Sequence, residues 1–313
     1  MSLLIAVTWE TQPWMERFKR HLPGREIAVL GEDFDRNAIR YVATWGPKPG
    51  SLSGLPNLEA IFSLGAGVDH LMSYPGLPDV PIVRVSQDDL THRMSEYMVL
   101  HCLMYLRDQR RYDEDQKARR WNPDRSPPIA GDVRVGIMGF GVLGQDSARK
   151  LKMMGFDVAG WSRTAKSVER FEVYAGEKGL APFLNRTDIL ISLVPLTPET
   201  RGILNRSLFE KLARDGKLGG PVLINAGRGK LQVEVDILSC LDDGTLKAAT
   251  LDVFETEPLP EDSPLWTHPR VTITPHNSAV SEPEATARYI AEQIRRHEAG
   301  KPFENLVDRT RGY

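Results

Sequence analysis

A chain of 313 residues, 41% hydrophobic and 26% charged, has apolar mass for about two globular domains. Its formal net charge of -2 argues against the basic footprint of a nucleic-acid binder. No apolar run reaches the roughly 20 residues of a membrane helix, and the opening Leu3 to Thr8 run reads as a strand rather than a leader. Cys102 and Cys240 fall in apolar helical patterns without ligand spacing, so core thiols in a reducing, cytoplasmic setting are expected, and no metal site.

In chain order, short apolar runs at Leu3 to Thr8, Glu26 to Leu30, Tyr41 to Trp45, Leu58 to Leu64 and Pro81 to Val85 alternate with polar segments such as the helix expected over Gln12 to His21. This pattern predicts a small α/β unit with a largely parallel sheet. Thr91 to Leu106 is apolar nearly all round, the pattern of a buried helix that crosses between domains. Arg107 to Arg120 carries both signs of charge, as a solvated helix or an arm packed on another subunit would. Trp121 to Asp132, with three prolines, connects to a second α/β unit. Six runs there read as strands: Val133 to Met138, Asp157 to Trp161, Ile189 to Val194, Pro221 to Asn225, Ala248 to Val253 and Val271 to Thr274. Amphipathic segments are expected over Gln145 to Met154, Glu199 to Arg214 and Leu231 to Leu241, and again over Glu282 to Glu298. The arrangement predicts a doubly wound parallel sheet of the dinucleotide-binding kind.

Gly139-Phe140-Gly141-Val142-Leu143-Gly144 stands between a strand and a helix. In that setting G-x-G-x-x-G makes a tight turn, lets a pyrophosphate approach the backbone and aims a helix N-terminus at it. NAD-binding versions place an acid about 20 residues further on to receive the ribose hydroxyl. Here that strand ends Trp161-Ser162-Arg163-Thr164-Ala165-Lys166, with no acid before Glu169. Two hydroxyls and a planar cation suit a 2′-phosphate, so NADP is expected over NAD.

Ligands of open α/β sheets lie outside the carboxyl ends of the strands. Three such ends present Arg228 between glycines, Glu257 after Val253, and His276 after Thr274. An arginine can bind a substrate carboxylate and polarise its carbonyl. An imidazole, with an ordinary pKa of about 6.5, can pass a proton to a developing alkoxide, and a carboxylate at its other nitrogen orients it. Earlier in the chain, Ser63 to His70 forms a glycine turn whose amides could hold a carboxylate from the opposite wall of a cleft, with Trp45 as a cover.

Several stretches together resemble the D-2-hydroxyacid dehydrogenase family. They are Leu64-Gly65-Ala66-Gly67-Val68-Asp69-His70, Gly136 to Gly144, Trp161-Ser162-Arg163, Asn225-Ala226-Gly227-Arg228-Gly229, Leu251-Asp252-Val253-Phe254 with Glu257-Pro258, Ser263-Pro264-Leu265-Trp266, Thr274-Pro275-His276 and the closing Val307 to Tyr313. The resemblance implies a Rossmann cofactor domain over 95–280, including a linking helix and a dimerisation arm. It also implies a smaller flavodoxin-like substrate domain made of 1–94 and 281–313. Arg228, Glu257 and His276 would be catalytic, with the backbone of Ala66 and Gly67 on the substrate carboxylate and Trp45 near the substrate. Gly139, Gly141, Val142, Leu143, Gly144, Ser162, Arg163, Thr164, Val194, Pro195 and Ala226 would border NADP(H), and Asp252 would contact the nicotinamide amide. The implied protein is a homodimer reducing glyoxylate to glycolate and hydroxypyruvate to glycerate. Alternatives are an NAD-dependent dehydrogenase of a larger 2-hydroxy acid and a dinucleotide-sensing binding protein. Asn277 departs from the family pattern, in which an apolar residue commonly follows the histidine.

Overall fold

Residues 2–312 are described in a computed structural model, which leaves Met1 and Tyr313 outside the description. The chain divides into two units: one extends to Leu90 and resumes at Val280, and the other is Thr91–Ala279.

The first unit holds β1 (Ser2–Ala6), α1 (Gln12–His21), β2 (Ile27–Val29), β3 (Ile39–Thr44), β4 (Ala60–Ser63), α2 (Asp69–Met72) and β5 (Ile82–Arg84). All its strand pairs are parallel, in the order β2-β1-β3-β4-β5. That is the flavodoxin-like doubly wound order, as expected. Such a sheet is covered on both faces, so its strands read as unbroken apolar runs: Leu3, Leu4, Ile5 and Ala6 are all fully buried. On one face lie Phe18 and Leu22 together with Ala287, Ile290, Ala291 and Ile294 from the late part of the chain; Leu52, Leu71 and Tyr74 lie on the other. Pro13 in its first turn and Lys19, Arg20 and His21 in its last give α1 termini that suit the helix dipole.

α3 (Asp88–Leu106) carries the chain into the second unit. It begins three residues before Thr91 and is not buried all round. Met94, Met98, Cys102 and Leu106, four apart, form the stripe packed in the core, whereas Leu100 is 54% exposed. At Asp108 the chain turns through a left-handed residue, φ +49°, into α4 (Gln109–Lys117). There Arg110 donates to the Val271 and Pro269 carbonyls, and Arg111 and Arg120 pair with Asp108 and Asp115.

Next come β6 (Arg134–Met138), α5 (Val142–Met153), β7 (Asp157–Ser162), β8 (Glu172–Ala175), α6 (Gly176–Asn185), β9 (Ile189–Ser192), α7 (Arg206–Phe209), β10 (Val222–Asn225), α8 (Glu234–Asp242), β11 (Ala248–Leu251) and β12 (Val271–Ile273). α9 (Pro283–Glu298) closes the series, back in the first unit. The second sheet is parallel, in the order β12-β11-β10-β9-β6-β7-β8. Counted from β6 this is the Rossmann order with one strand added, and its switch point falls between β6 and β9.

Four sequence expectations shift. The sheet has seven strands rather than six, because β8 is an edge strand with no buried residue and so carries no apolar run. α6, which follows it, was also unmarked. Of Glu199 to Arg214 only Arg206–Phe209 is α-helical: Gly202, φ +65°, breaks the pattern and Asn205 caps a new start. α5 starts at Val142 rather than Gln145, because the last glycine of the motif already belongs to its first turn. Both cysteines are free and buried.

Candidate active site

The glycine-rich turn leaves β6 at the switch point. Gly139 sits at φ +105°, and a Cβ there would lie 2.5 Å from the Leu193 carbonyl carbon. A Cβ on Gly144 would meet the Gly139 oxygen at 2.2 Å, so these two glycines serve the turn and the helix–strand packing. Gly141 differs: its φ is -81° and a Cβ would meet no atom within 4 Å. It caps α5 without a side-chain bond, so the first amides of that helix have no intrahelical acceptor. This leaves an anion cradle whose openness the fold itself does not require. Gly141→Ala is therefore expected to keep the wild-type thermal midpoint within about 2 °C, while weakening NADPH binding in a fluorescence titration at least about tenfold.

Beside the cradle, the Ser162 hydroxyl donates to the Thr164 carbonyl at 2.8 Å. Its single proton thus closes the turn and leaves only lone pairs for a ligand. Arg163, Thr164 and Lys166 are exposed, and Lys166 donates to the Phe140 carbonyl of the glycine turn at 3.1 Å. Hydrogen bonds from Thr197 and its own backbone amide, with the charge of Arg163 adding to them, hold the Glu199 carboxyl in the loop after β9 below its usual range. Val194 and Ala226 are buried core residues, and Pro195 is half-buried.

Three loops at the carboxyl edge of the same sheet carry the titratable and cationic side chains. After β10, the Asn225 side chain accepts from the Gly227 amide at 3.1 Å and donates to the Arg228 carbonyl at 3.1 Å and to Gln232 at 2.8 Å. Gln232 in turn donates to the Val253 carbonyl at 3.0 Å, which ties this loop to the one after β11. A Cβ on Gly229 would lie 1.7 Å from the Phe254 carbonyl oxygen. The Phe254 atoms it would meet are backbone and cannot yield as a flexible side chain would. Gly229→Ala is expected to destabilise the fold by about 1–3 kcal/mol or more, read as a lower thermal midpoint, with activity falling as the loops part.

His276 Nδ1 lies 2.7 Å from Glu257 Oε2, and the other carboxylate oxygen accepts from the Phe254 amide at 3.0 Å. Burial pushes the Glu257 carboxyl up, but the bonds from His276 and Phe254 and the charges of His276 and Arg228 outweigh it, and the group sits below its usual range. His276 itself is a left-handed non-glycine residue, φ +52°. Asp252 is fully buried, and its carboxylate accepts from Thr274 Oγ1 at 2.6 Å and from the amides of Asn277 and Ser278 at 2.9 and 3.0 Å. Oδ1 thus takes two of these bonds and Oδ2 one, all three from the loop that bears His276.

In the first unit, the Ser63 hydroxyl donates to the Gly67 carbonyl at 3.0 Å and closes the turn after β4. The amides of Ala66 and Gly67 have no acceptor among the described residues. A Cβ on Gly65 would lie 2.5 Å from the Trp45 ring, which packs on the turn and against His70 at 4.5 Å between centroids.

Residues 99–278 match the D-isomer specific 2-hydroxyacid dehydrogenase family, NAD binding domain. A glyoxylate/hydroxypyruvate reductase A from Serratia proteamaculans (strain 568) is 40% identical over 311 residues, 97% of each chain. The chain belongs to the D-isomer specific 2-hydroxyacid dehydrogenase family. Among solved structures, an NADPH-dependent glyoxylate/hydroxypyruvate reductase from Sinorhizobium meliloti in complex with NADP and sulfate is 47% identical, with a TM-score of 0.94 over 100% of this chain and 99% of that one. A probable 2-hydroxyacid dehydrogenase from Rhizobium etli CFN 42, in complex with NADP, HEPES and L(+)-tartaric acid, gives the same identity, TM-score and coverage.

Within this 2-hydroxyacid dehydrogenase, Glu257 and His276 are joined directly, and Arg228 is tied to their loops through Asn225, Gln232 and Gly229. Gln232 is not singled out by the sequence as a site residue, and Asn225 and Thr274 appear there only as parts of motifs. Polar residues flanking apolar strands were the available signal. Tyr97, which contacts Thr274, had none, because it lies inside a helix that reads as apolar.

Proposed function

We propose that the protein reduces small 2-oxo acids with NADPH, with glyoxylate and hydroxypyruvate as leading substrates. The Glu257–His276 pair, at 2.7 Å on the sheet edge that also bears the open Gly141 cradle, is the observation that carries this reading. The residues present fit a dinucleotide: Gly141 leaves space for a pyrophosphate, and the amides of Val142 and Leu143 and the dipole of α5 favour its charge. Gly139 and Gly144 shape that turn, Arg163 and Thr164 would receive the 2′-phosphate while Ser162 closes the turn through its bond to Thr164, and Val194, Pro195 and Ala226 would border the cofactor. Bound NADPH supplies the hydride.

The chain's own residues do the rest. Arg228 binds the substrate carboxylate and polarises the carbonyl by charge-assisted bonds. His276 gives its Nε2 proton to the oxygen as negative charge develops there, while Glu257 at Nδ1 fixes the orientation of the ring. Ala66 and Gly67 offer backbone amides to a carboxylate, with Trp45 as an apolar wall. The same reading makes the protein a cytoplasmic homodimer, its arm drawn from the charged segment after Leu106.

The test is NADPH oxidation by the purified protein with a panel of 2-oxo acids, repeated with NADH. Turnover of glyoxylate and hydroxypyruvate with a clear preference for NADPH is expected. Tight cofactor binding without turnover of any panel member would instead mark a dinucleotide sensor and defeat the proposal. The family relatives that are glyoxylate/hydroxypyruvate reductases support the choice of leading substrates.

A further inference from the structure

Residue 252 receives three consecutive amides of the histidine loop. Its carbonyl accepts from His276 at 2.8 Å, and its carboxylate accepts from Asn277 and Ser278. These bonds hold a left-handed backbone that is uncommon for a non-glycine residue. Behind the carboxylate the chain of bonds continues into the core. Thr274 Oγ1 donates its only proton to Asp252 Oδ1, so the Tyr97 hydroxyl, 2.8 Å from Thr274 Oγ1, must be the donor in that contact. The bonds thus converge on Asp252: Tyr97 O–H donates to Thr274 and Thr274 O–H to the Asp252 carboxylate from the core side, while the amides of Asn277 and Ser278 donate to that carboxylate from the histidine loop.

The surroundings suit this arrangement. Burial pushes the Tyr97 phenol up, so it keeps its proton and remains a donor. Its ring packs 4.2 Å from that of His101, which burial lowers below the ordinary histidine range. The Asp252 charge acts on His101 in the opposite sense to that burial, and burial outweighs it. Tyr97 stands on α3, one turn before His101 and the core stripe at Cys102, so the far end of the relay is anchored on a long, packed helix.

We propose that Tyr97 and Thr274 are positioning residues for His276, acting through Asp252 to hold the histidine loop in its left-handed conformation. The proposal rests on the reading of His276 as proton donor. It differs from a donor role in cofactor binding, since both hydroxyl protons are used within the chain of bonds to Asp252.

The experiment is a double-mutant cycle on the full-length enzyme with NADPH and glyoxylate. Tyr97→Phe keeps the ring and its packing but removes the donor; Thr274→Val removes both links, and Thr274→Ser restores them. Tyr97→Phe and Thr274→Val are each expected to lower kcat between about 5- and 100-fold, as small misplacements of a reacting group do. NADPH binding, read by fluorescence, should stay within about twofold of wild type, and Thr274→Ser should recover activity to within about threefold. In a His276→Gln background the same two changes should alter the residual rate by less than about twofold, because the group they position is gone. An equal loss in both backgrounds would show general damage to the fold and overturn the proposal. So would wild-type kcat in both single variants while His276→Gln remains impaired. Full activity of His276→Gln alone would instead remove the proton-donor reading itself, and the positioning role with it. If Tyr97→Phe does not fold, the Thr274→Val and Thr274→Ser pair decides the matter by the same comparisons.

Discussion

Replacing His276 by glutamine is expected to lower kcat for 2-oxo acid reduction at least about 100-fold, the low end of what general acid catalysis contributes. Glutamine keeps an N–H for hydrogen bonding, so the ground-state contact to a substrate oxygen can survive. It has no proton to give at neutral pH, and the alkoxide must then take one from water. Because the loop amides at 276–278 bind Asp252 by backbone, the substitution should leave the loop anchored and NADPH binding intact. Steady-state rates together with a cofactor titration check both halves of this expectation. A residual kcat above about one per cent of wild type would remove His276 from the role of proton donor. The pH dependence follows from Glu257, whose carboxyl lies below its usual range. A depressed carboxyl stays ionised as pH falls, so the 2.7 Å pairing persists through mildly acidic solution and is lost only below the ordinary glutamate value of about 4.3. No downturn in kcat/KM between pH 7 and 5 should arise from this carboxylate.

The glycine motif was legible because each glycine answers to a separate physical demand. Gly139 and Gly144 are needed by backbone conformation and close approach, whereas a Cβ on Gly141 would meet no atom of the described residues within 4 Å, so this glycine points to a ligand. Sheet order was readable at the level of class, since runs such as Leu3 to Ala6 are apolar on both faces only in a sheet covered on both sides. What escaped lacked an apolar signature: β8 has no buried residue, and α7 is a single capped turn in a segment whose periodicity suggests a longer helix. Arg228, Glu257 and His276 could be picked from strand ends, but not the bonds that join them. Those bonds run through Asn225, Gln232, Asp252 and Thr274, polar residues whose role depends on which loops the sheet brings together. Ser162 shows the converse, a residue correctly placed at a strand end whose hydroxyl proton is engaged by its own turn at Thr164. The cationic side chains after it are the exposed groups there, which shifts the expected burden of 2′-phosphate binding toward Arg163 and Lys166.

Arg228→Gln is expected to lower kcat/KM for glyoxylate by about 100- to 1,000-fold, the range seen when one preorganised donor to a developing oxyanion is removed. The argument begins with how firmly the residue is held. Its carbonyl accepts from Asn225, its guanidinium donates to the Gly227 carbonyl at 2.8 Å, and the following glycine is pressed on the Phe254 backbone. A cation fixed in this way loses little freedom when a carboxylate binds, so most of its interaction energy reaches the substrate. Glutamine retains a short polar side chain but loses the charge and the planar fork. Lysine would restore the charge without the fork, and Arg228→Lys should recover only part of the loss, because paired bonds to a carboxylate and its carbonyl need two donors in one plane. Glu257 separates the two contributions of Arg228. The arginine's charge is one of the influences that keep this carboxyl low, so part of the Arg228→Gln defect should appear as a weaker Glu257–His276 pairing in acid, which a comparison of the two variants' rates at pH 5 and pH 7 would detect. A change in kcat/KM smaller than about tenfold for Arg228→Gln would show that the substrate carboxylate is held elsewhere, with the amides of Ala66 and Gly67 the next candidates to test.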